Sequence, residues 1–135
     1  MKPLRIVILS MIMIVGFNHS TFSQSNDSVS TKPVYEMKQY YMVLLKSGTN
    51  RNHDSTEVKK IQAGHMAHIS KMAEDGVLDI AGPFADKGEL RGIFILNVKT
   101  HEEAEALCKQ DPAVISGRLN YEIKPWWSAK NSCLK

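Results

Sequence analysis

The stretch AGHMAHISKM, residues 63–72, places two imidazoles three residues apart, and a lone carboxylate, Asp111, stands immediately before Pro112. Imidazole titrates close to neutral pH and can therefore give or take a proton in a reaction. A carboxylate behind the ring holds it in one tautomer and stabilises the imidazolium. His65 and Asp111 are the candidates for such a pair. Each also has a reading without chemistry. His65 would be a core histidine bonded to a backbone carbonyl or to Tyr41 or Tyr121, and Asp111 a cap before a proline at the first helical position. His65 and His68 could in principle turn toward one metal ion. No HExxH or Cys/His cluster supplies a third ligand, so neither a metal nor a cofactor is expected.

These side chains must be positioned by a helix. Asp54, with Glu57 three residues later, resembles a capping box that opens it, and Asp75-Gly76 closes it after Glu74. On a wheel of about 100° per residue, Val58, Ile61, Ile69 and Met72 share one arc. His65 falls in the middle of that arc and His68 on its edge, while Lys59, Lys60 and Lys71 face water. A buried polar group left unpaired costs roughly 1–3 kcal/mol, so His65 needs a partner. His53 and His101 fall in a loop and beside a cap, and no role is assigned to them.

The remaining elements follow from composition. QYYMVLLK, 39–46, is a strand that is apolar on both faces and therefore central. VLDIAGPF, 77–84, and RGIFILNV, 91–98, are the second and third strands. Thr100 and Glu103 cap the helix 102–110, and PAVISG forms a short helical turn. LNYEIKPWW, 119–127, is the last strand, and SAKNSCLK a loose end. The order β-α-β-β-α-β is α+β and ferredoxin-like, a four-stranded antiparallel sheet with both helices on one face. In that arrangement the end of the second helix lies over the same sheet face as the first, within reach of His65. The opposite face is apolar too, and a second copy of the chain is the expected cover.

The ends of the 135-residue chain read differently. Lys2 and Arg5 precede an apolar run, Leu4 to Phe17, which is shorter than the roughly 20 residues needed to span a bilayer. Thr21-Phe22-Ser23 then fits a small-x-small cleavage site. Residues 1–23 are expected to be an export signal and 24–34 a flexible tether. The folded domain is expected over 35–128, followed by a loose tail at 129–135. The mature chain would be periplasmic or extracellular, with no stable membrane insertion after cleavage. Losing residues 1–23 removes two basic residues and no acid, taking the formal charge from +3 to +1. No basic stripe remains, which argues against nucleic-acid binding. Cys108 could pair with Cys133 after export, or it could be a small buried hydrophobe.

Taken together, YYMVLLK, AGHMAHISKMAEDG, LDIAGPF, the DP step after the second helix and the closing YEIKPWW resemble the YciI-like, or YCII-related, family over about residues 38–127. The resemblance implies a dimeric α/β barrel in which two sheets pack face to face, with His65 and Asp111 as the family's His/Asp pair in a cleft. It also implies relatives that include a cofactor-independent dehydrochlorinase of a chlorinated, hydroxylated ring. The leader and tether depart from the family's usual short cytoplasmic form.

Two functional readings follow. In one, the chain is a small cofactor-free enzyme. His65 moves a proton, Asp111 orients it, and Tyr41, Gly82, Pro83 and Phe84 contact a small aromatic or enolisable substrate during elimination, dehydrochlorination or isomerisation. Gly82-Pro83 would let backbone approach a ligand closely. In the other, the chain is a non-catalytic ligand-binding or structural module. It self-associates as a homodimer or higher homo-oligomer around a buried His-Asp pair, with Trp126 and Trp127 at the interface.

Overall fold

A computed structural model describes residues 35–132. The expected export signal, almost all of the expected tether, and Cys133 lie outside the described residues. β1 is Met37–Ser47, α1 Ser55–Glu74, β2 Leu78–Pro83, β3 Leu90–Leu96, α2 His101–Gln110, α3 Pro112–Ile115 and β4 Leu119–Ala129. The strands form one antiparallel sheet in the order β2-β3-β1-β4. The fold is α+β and ferredoxin-like, and the two-sided apolar strands β1 and β3 are the central ones. β4 runs two residues beyond the expected strand. Ser128 and Ala129 pair with Lys38 and Met37, so the tail begins later than its polar composition implies.

Local signals place the helices. Asp54 caps α1, its Oδ1 accepting from the N–H groups of Thr56 and Glu57 at 2.8 Å each. Beyond the C-terminus, Gly76 takes φ +70°, a left-handed turn that suits glycine. Thr100 caps α2 through the Glu103 N–H, and Glu103 reaches back to the Lys99 N–H at 2.8 Å.

Strand alternation sorts the side chains into two faces. Tyr41, Val43 and Leu45 on β1 and Phe94 and Leu96 on β3 join Met72, Leu78, Ala104 and Cys108 in a core between sheet and helices. Burial of each large apolar side chain contributes about 1.5–3 kcal/mol. On the opposite face, Met42, Leu44 and Ile93 remain half-buried, beside Tyr40 and Ile95, which are buried. Among the described residues no helix is long and apolar enough to cross a membrane.

Candidate functional site

The site begins with a glycine. Gly64 gives α1 a flat spot, and the Pro112 ring sits on it. A Cβ at Gly64 would stand 3.0 Å from Pro112 Cγ. This contact brings α3 against α1 and sets the neighbours of each contact residue, His65 and Asp111, side by side. His65 Nδ1 lies 2.7 Å from Asp111 Oδ2. The other carboxylate oxygen, Oδ1, accepts from the Ala113 N–H at 2.9 Å and caps α3. Asp111 is fully buried and His65 is 8% exposed. A carboxylate only accepts hydrogen bonds, so Nδ1–H is the donor and the neutral ring carries its lone pair on Nε2. Phe94 lies beside the ring in an offset stacked arrangement, centroids 6.1 Å apart.

Asp111 therefore has two jobs. It ends α2 and starts α3, and it holds the His65 ring. Its charge is felt by a neighbour as well. Burial pushes the Cys108 thiol from 9.0 up to about 12, and the Asp111 carboxylate adds to the rise.

A cavity of about 420 Å³ opens beside the pair, and His65 forms part of its wall. With Nδ1 committed to Asp111, Nε2 is the nitrogen left for whatever enters. Ile61, Ile69, Leu45, Phe94 and Leu119 give the wall an apolar body. Three arginines, Arg51, Arg91 and Arg118, also line it.

Of the expected contact residues, Gly82 and Pro83 line the cavity. Tyr41 and Phe84 do not. Tyr41 sits on the correct sheet face but at the wrong end of it. It pairs with Leu96 near α2, packs edge-on to the His101 ring and accepts from Gln39 Nε2 at 3.3 Å. Phe84 follows the last residue of β2 and is 42% exposed. His68 turns away from His65, and its Nε2–H donates to the Leu107 carbonyl at 2.9 Å, tying α1 to α2. Among the described residues no three His, Cys, Asp or Glu side chains gather as metal ligands.

Sequence reasoning missed the three arginines. Topology holds the signal that would have found them. In this antiparallel order the end of β1 meets the starts of β3 and β4, where Lys46 pairs with Leu90 and Ser47 with Leu119. Arg51, Arg91 and Arg118 follow or open those segments.

No curated protein matches the chain significantly. Among solved structures, the chain is similar to 5-chloro-2-hydroxyhydroquinone dehydrochlorinase from Burkholderia phenoliruptrix in complex with 2,5-dihydroxybenzoquinone. That similarity is 15% in identity with a TM-score of 0.47, over 64% of this chain and 92% of the other. The model of the YCII-related domain matches residues 39–127, from the second residue after the start of β1 to near the end of β4. By that match, which spans the sheet, the helices, His65 and Asp111, this chain belongs to the YCII-related family.

Proposed function

We propose that the chain is a small cofactor-independent enzyme that moves a proton on an aromatic or enolisable substrate. The observation that carries the reading is His65, held at Nδ1 by a buried carboxylate 2.7 Å away and set in the wall of a 420 Å³ cavity. In this reading Nε2 takes a proton from an sp3 carbon next to a carbonyl, as in an enolisable ketone or the keto tautomer of a phenol. The C–H electron pair forms the new C=C bond. In isomerisation the carbonyl π pair moves to oxygen as that C=C bond forms, and it returns to rebuild the carbonyl as the imidazolium gives the proton to another carbon. In elimination the electron pair expels chloride from the adjacent carbon, and the imidazolium proton passes to solvent. Asp111 is a positioning residue, holding the tautomer that leaves a lone pair on Nε2.

The mature chain would act after export, as residues 1–23 read, and would work as a homodimer. The half-buried outer sheet face of Met42, Leu44 and Ile93 supports self-association. Fractionation of cells and the N-terminal sequence of the mature protein test the export reading. Retention in the cytoplasm with residue 1 intact would reject it.

The catalytic reading is tested by assaying wild type, His65→Gln and Asp111→Asn on halogenated phenols, halogenated hydroquinones and small enolisable ketones. Wild type is expected to turn over a member of this set, and His65→Gln to lose about 10²–10⁴-fold in kcat. A wild type silent across the panel, with both variants merely less stable, favours the alternative. In that case Asp111's double capping role is its whole purpose, and the chain is a ligand-binding or structural module.

A further inference from the structure

The described chain contains three arginines and ten lysines, and every arginine, but no lysine, lines the cavity beside His65. The ion pairs of the described residues divide the same way. Lysines 46, 71, 109, 124 and 130 pair with carboxylates, and His65 pairs with Asp111, while no arginine pairs with any. No Asp or Glu belongs to the cavity wall. Three arginines therefore line one cavity, with no Asp or Glu among its lining residues. Arg51 and Arg91 are exposed and Arg118 half-buried, so water can reach all three when the cavity is empty.

The backbone is shaped to hold them there. Along β3, Ile93 and Ile95 point to the outer sheet face and Phe94 to the helices, so strict alternation would send Arg91 outward. The register shifts at this point. Leu45 pairs with Gly92 but Lys46 pairs with Leu90, which leaves Arg91 as the extra residue where alternation breaks, and Arg91 lines the cavity. Arg51 and Arg118 are fixed by two glycines. A Cβ at Gly48 would meet the Gly117 carbonyl oxygen at 2.1 Å, and Gly117 itself takes φ +71°. This close approach lets the Gly48 N–H donate to the Arg118 carbonyl at 2.9 Å and the Asn50 N–H to the Gly117 carbonyl at 3.1 Å. Arg51 Nη1 also donates to the Arg118 carbonyl at 3.1 Å, so its fork is oriented and its remaining N–H groups are left for a ligand.

We infer that the cavity binds a small carboxylate, with the anionic head held by the guanidinium groups of Arg51, Arg91 and Arg118. Its apolar body lies along Leu45, Ile61 and Phe94 toward His65. The planar fork of arginine matches a carboxylate with two parallel hydrogen bonds, which the point charge of lysine does not. Carboxylate at one end and a transferable proton at the other define a carboxylated phenol or a short oxo acid. The inference rests on the proton-transfer reading for the His65 end alone, since the arginine end requires only binding.

The test is calorimetric titration of the purified protein with benzoate, 4-hydroxybenzoate and acetoacetate, each against its uncharged carboxamide, at low salt. At least one acid is expected to bind ten-fold or more tightly than its amide, with affinity falling as chloride is added. Arg91→Gln and Arg118→Gln are each expected to weaken that acid about ten-fold, and Arg91→Lys to recover only part of the loss. His65→Gln should weaken binding of that acid less than Arg91→Gln does. If no acid binds better than its amide, or if both glutamine variants bind it as wild type does, the inference is overturned. Arginine-dependent binding without turnover would uphold the anion site and reject the catalytic reading. Turnover confined to uncharged substrates would do the reverse.

Discussion

Gly64 and Pro112 are in contact where α1 crosses α3, and this contact sets the register of the pair next to it, His65 and Asp111. A glycine inside a 20-residue helix costs about 1 kcal/mol relative to alanine. Here it serves packing. Gly64→Ala would restore helix propensity but push a Cβ to 3.0 Å from a ring that cannot rotate away. Overpacking costs about 1–3 kcal/mol, so a net destabilisation of about 1 kcal/mol is expected in denaturant melts. The α3 segment should move outward and lengthen the His65–Asp111 bond, so kcat should fall more than KM rises. A more stable Gly64→Ala protein with unchanged kcat would show that the crossing tolerates the added methyl.

Asp111 is where structure and chemistry are hardest to separate, and two substitutions separate them. Asp111→Ala removes the α3 cap and strands the buried Nδ1–H of His65. Loss of a cap costs about 1 kcal/mol and an unpaired buried donor about 1–3 kcal/mol, so a total loss of about 3 kcal/mol is expected. Asp111→Asn retains an oxygen for the Ala113 N–H but turns its amide N–H₂ toward the ring. Nδ1 must then accept, and the proton moves to Nε2. Nitrogen NMR of the His65 ring reads this tautomer switch directly. A positioning role requires the switch and at least a ten-fold fall in kcat in a protein that remains folded. A purely structural role would leave any activity unmoved.

The fold was legible because each element carried its own signal. The caps at Asp54 and Thr100, the turn at Gly76 and the two-sided apolar strands are local, and the structure keeps all of them. His65 was legible because a polar residue in the middle of an apolar helical arc demands a partner. Tyr41 and Phe84 fall outside the cavity lining because period-two alternation tells which face a residue takes and not which end of the sheet lies over the cavity. Arg91 was missed for a related reason. Alternation breaks there at a register shift between Leu45 and Lys46, a pairing between two strands that neither strand's pattern reveals.

Cys108 makes stability depend on pH in the alkaline range. Its thiol is pushed up to about 12 in the folded chain, against an ordinary 9.0, by burial and then by Asp111. Between those values the unfolded chain releases a proton that the folded chain retains. Protons bound are then fewer in the unfolded state, so stability falls as pH rises through this window and is fully present below it. The unfolding constant should increase by up to about ten-fold per pH unit from this group. Cys108→Ala, at the cost of a small cavity, should flatten the slope of the denaturation midpoint between pH 9 and 11. An unchanged slope would assign the alkaline loss to other groups.

The outer sheet face makes the last prediction. Met42, Leu44 and Ile93 present half-buried apolar surface on central strands, where a second copy would complete a barrel in the proposed dimer. Glu122 borders this patch, bonded by Lys124 and Lys46 and held down to about 2 by them, so it stays charged over ordinary pH. Met42 pairs across the sheet with Lys124. Met42→Glu therefore gains an opposite charge directly across from it, a pairing that contributes roughly 0.2–1 kcal/mol, and the single chain should remain folded. In the dimer this carboxylate and Lys124 would both be taken out of water, a cost of several kcal/mol per ion. Sedimentation at micromolar concentration is expected to find wild type as a dimer and Met42→Glu as a folded monomer. A wild type that sediments as a monomer would remove the dimer from the functional reading, and a dimer that survives Met42→Glu would place its interface on another face.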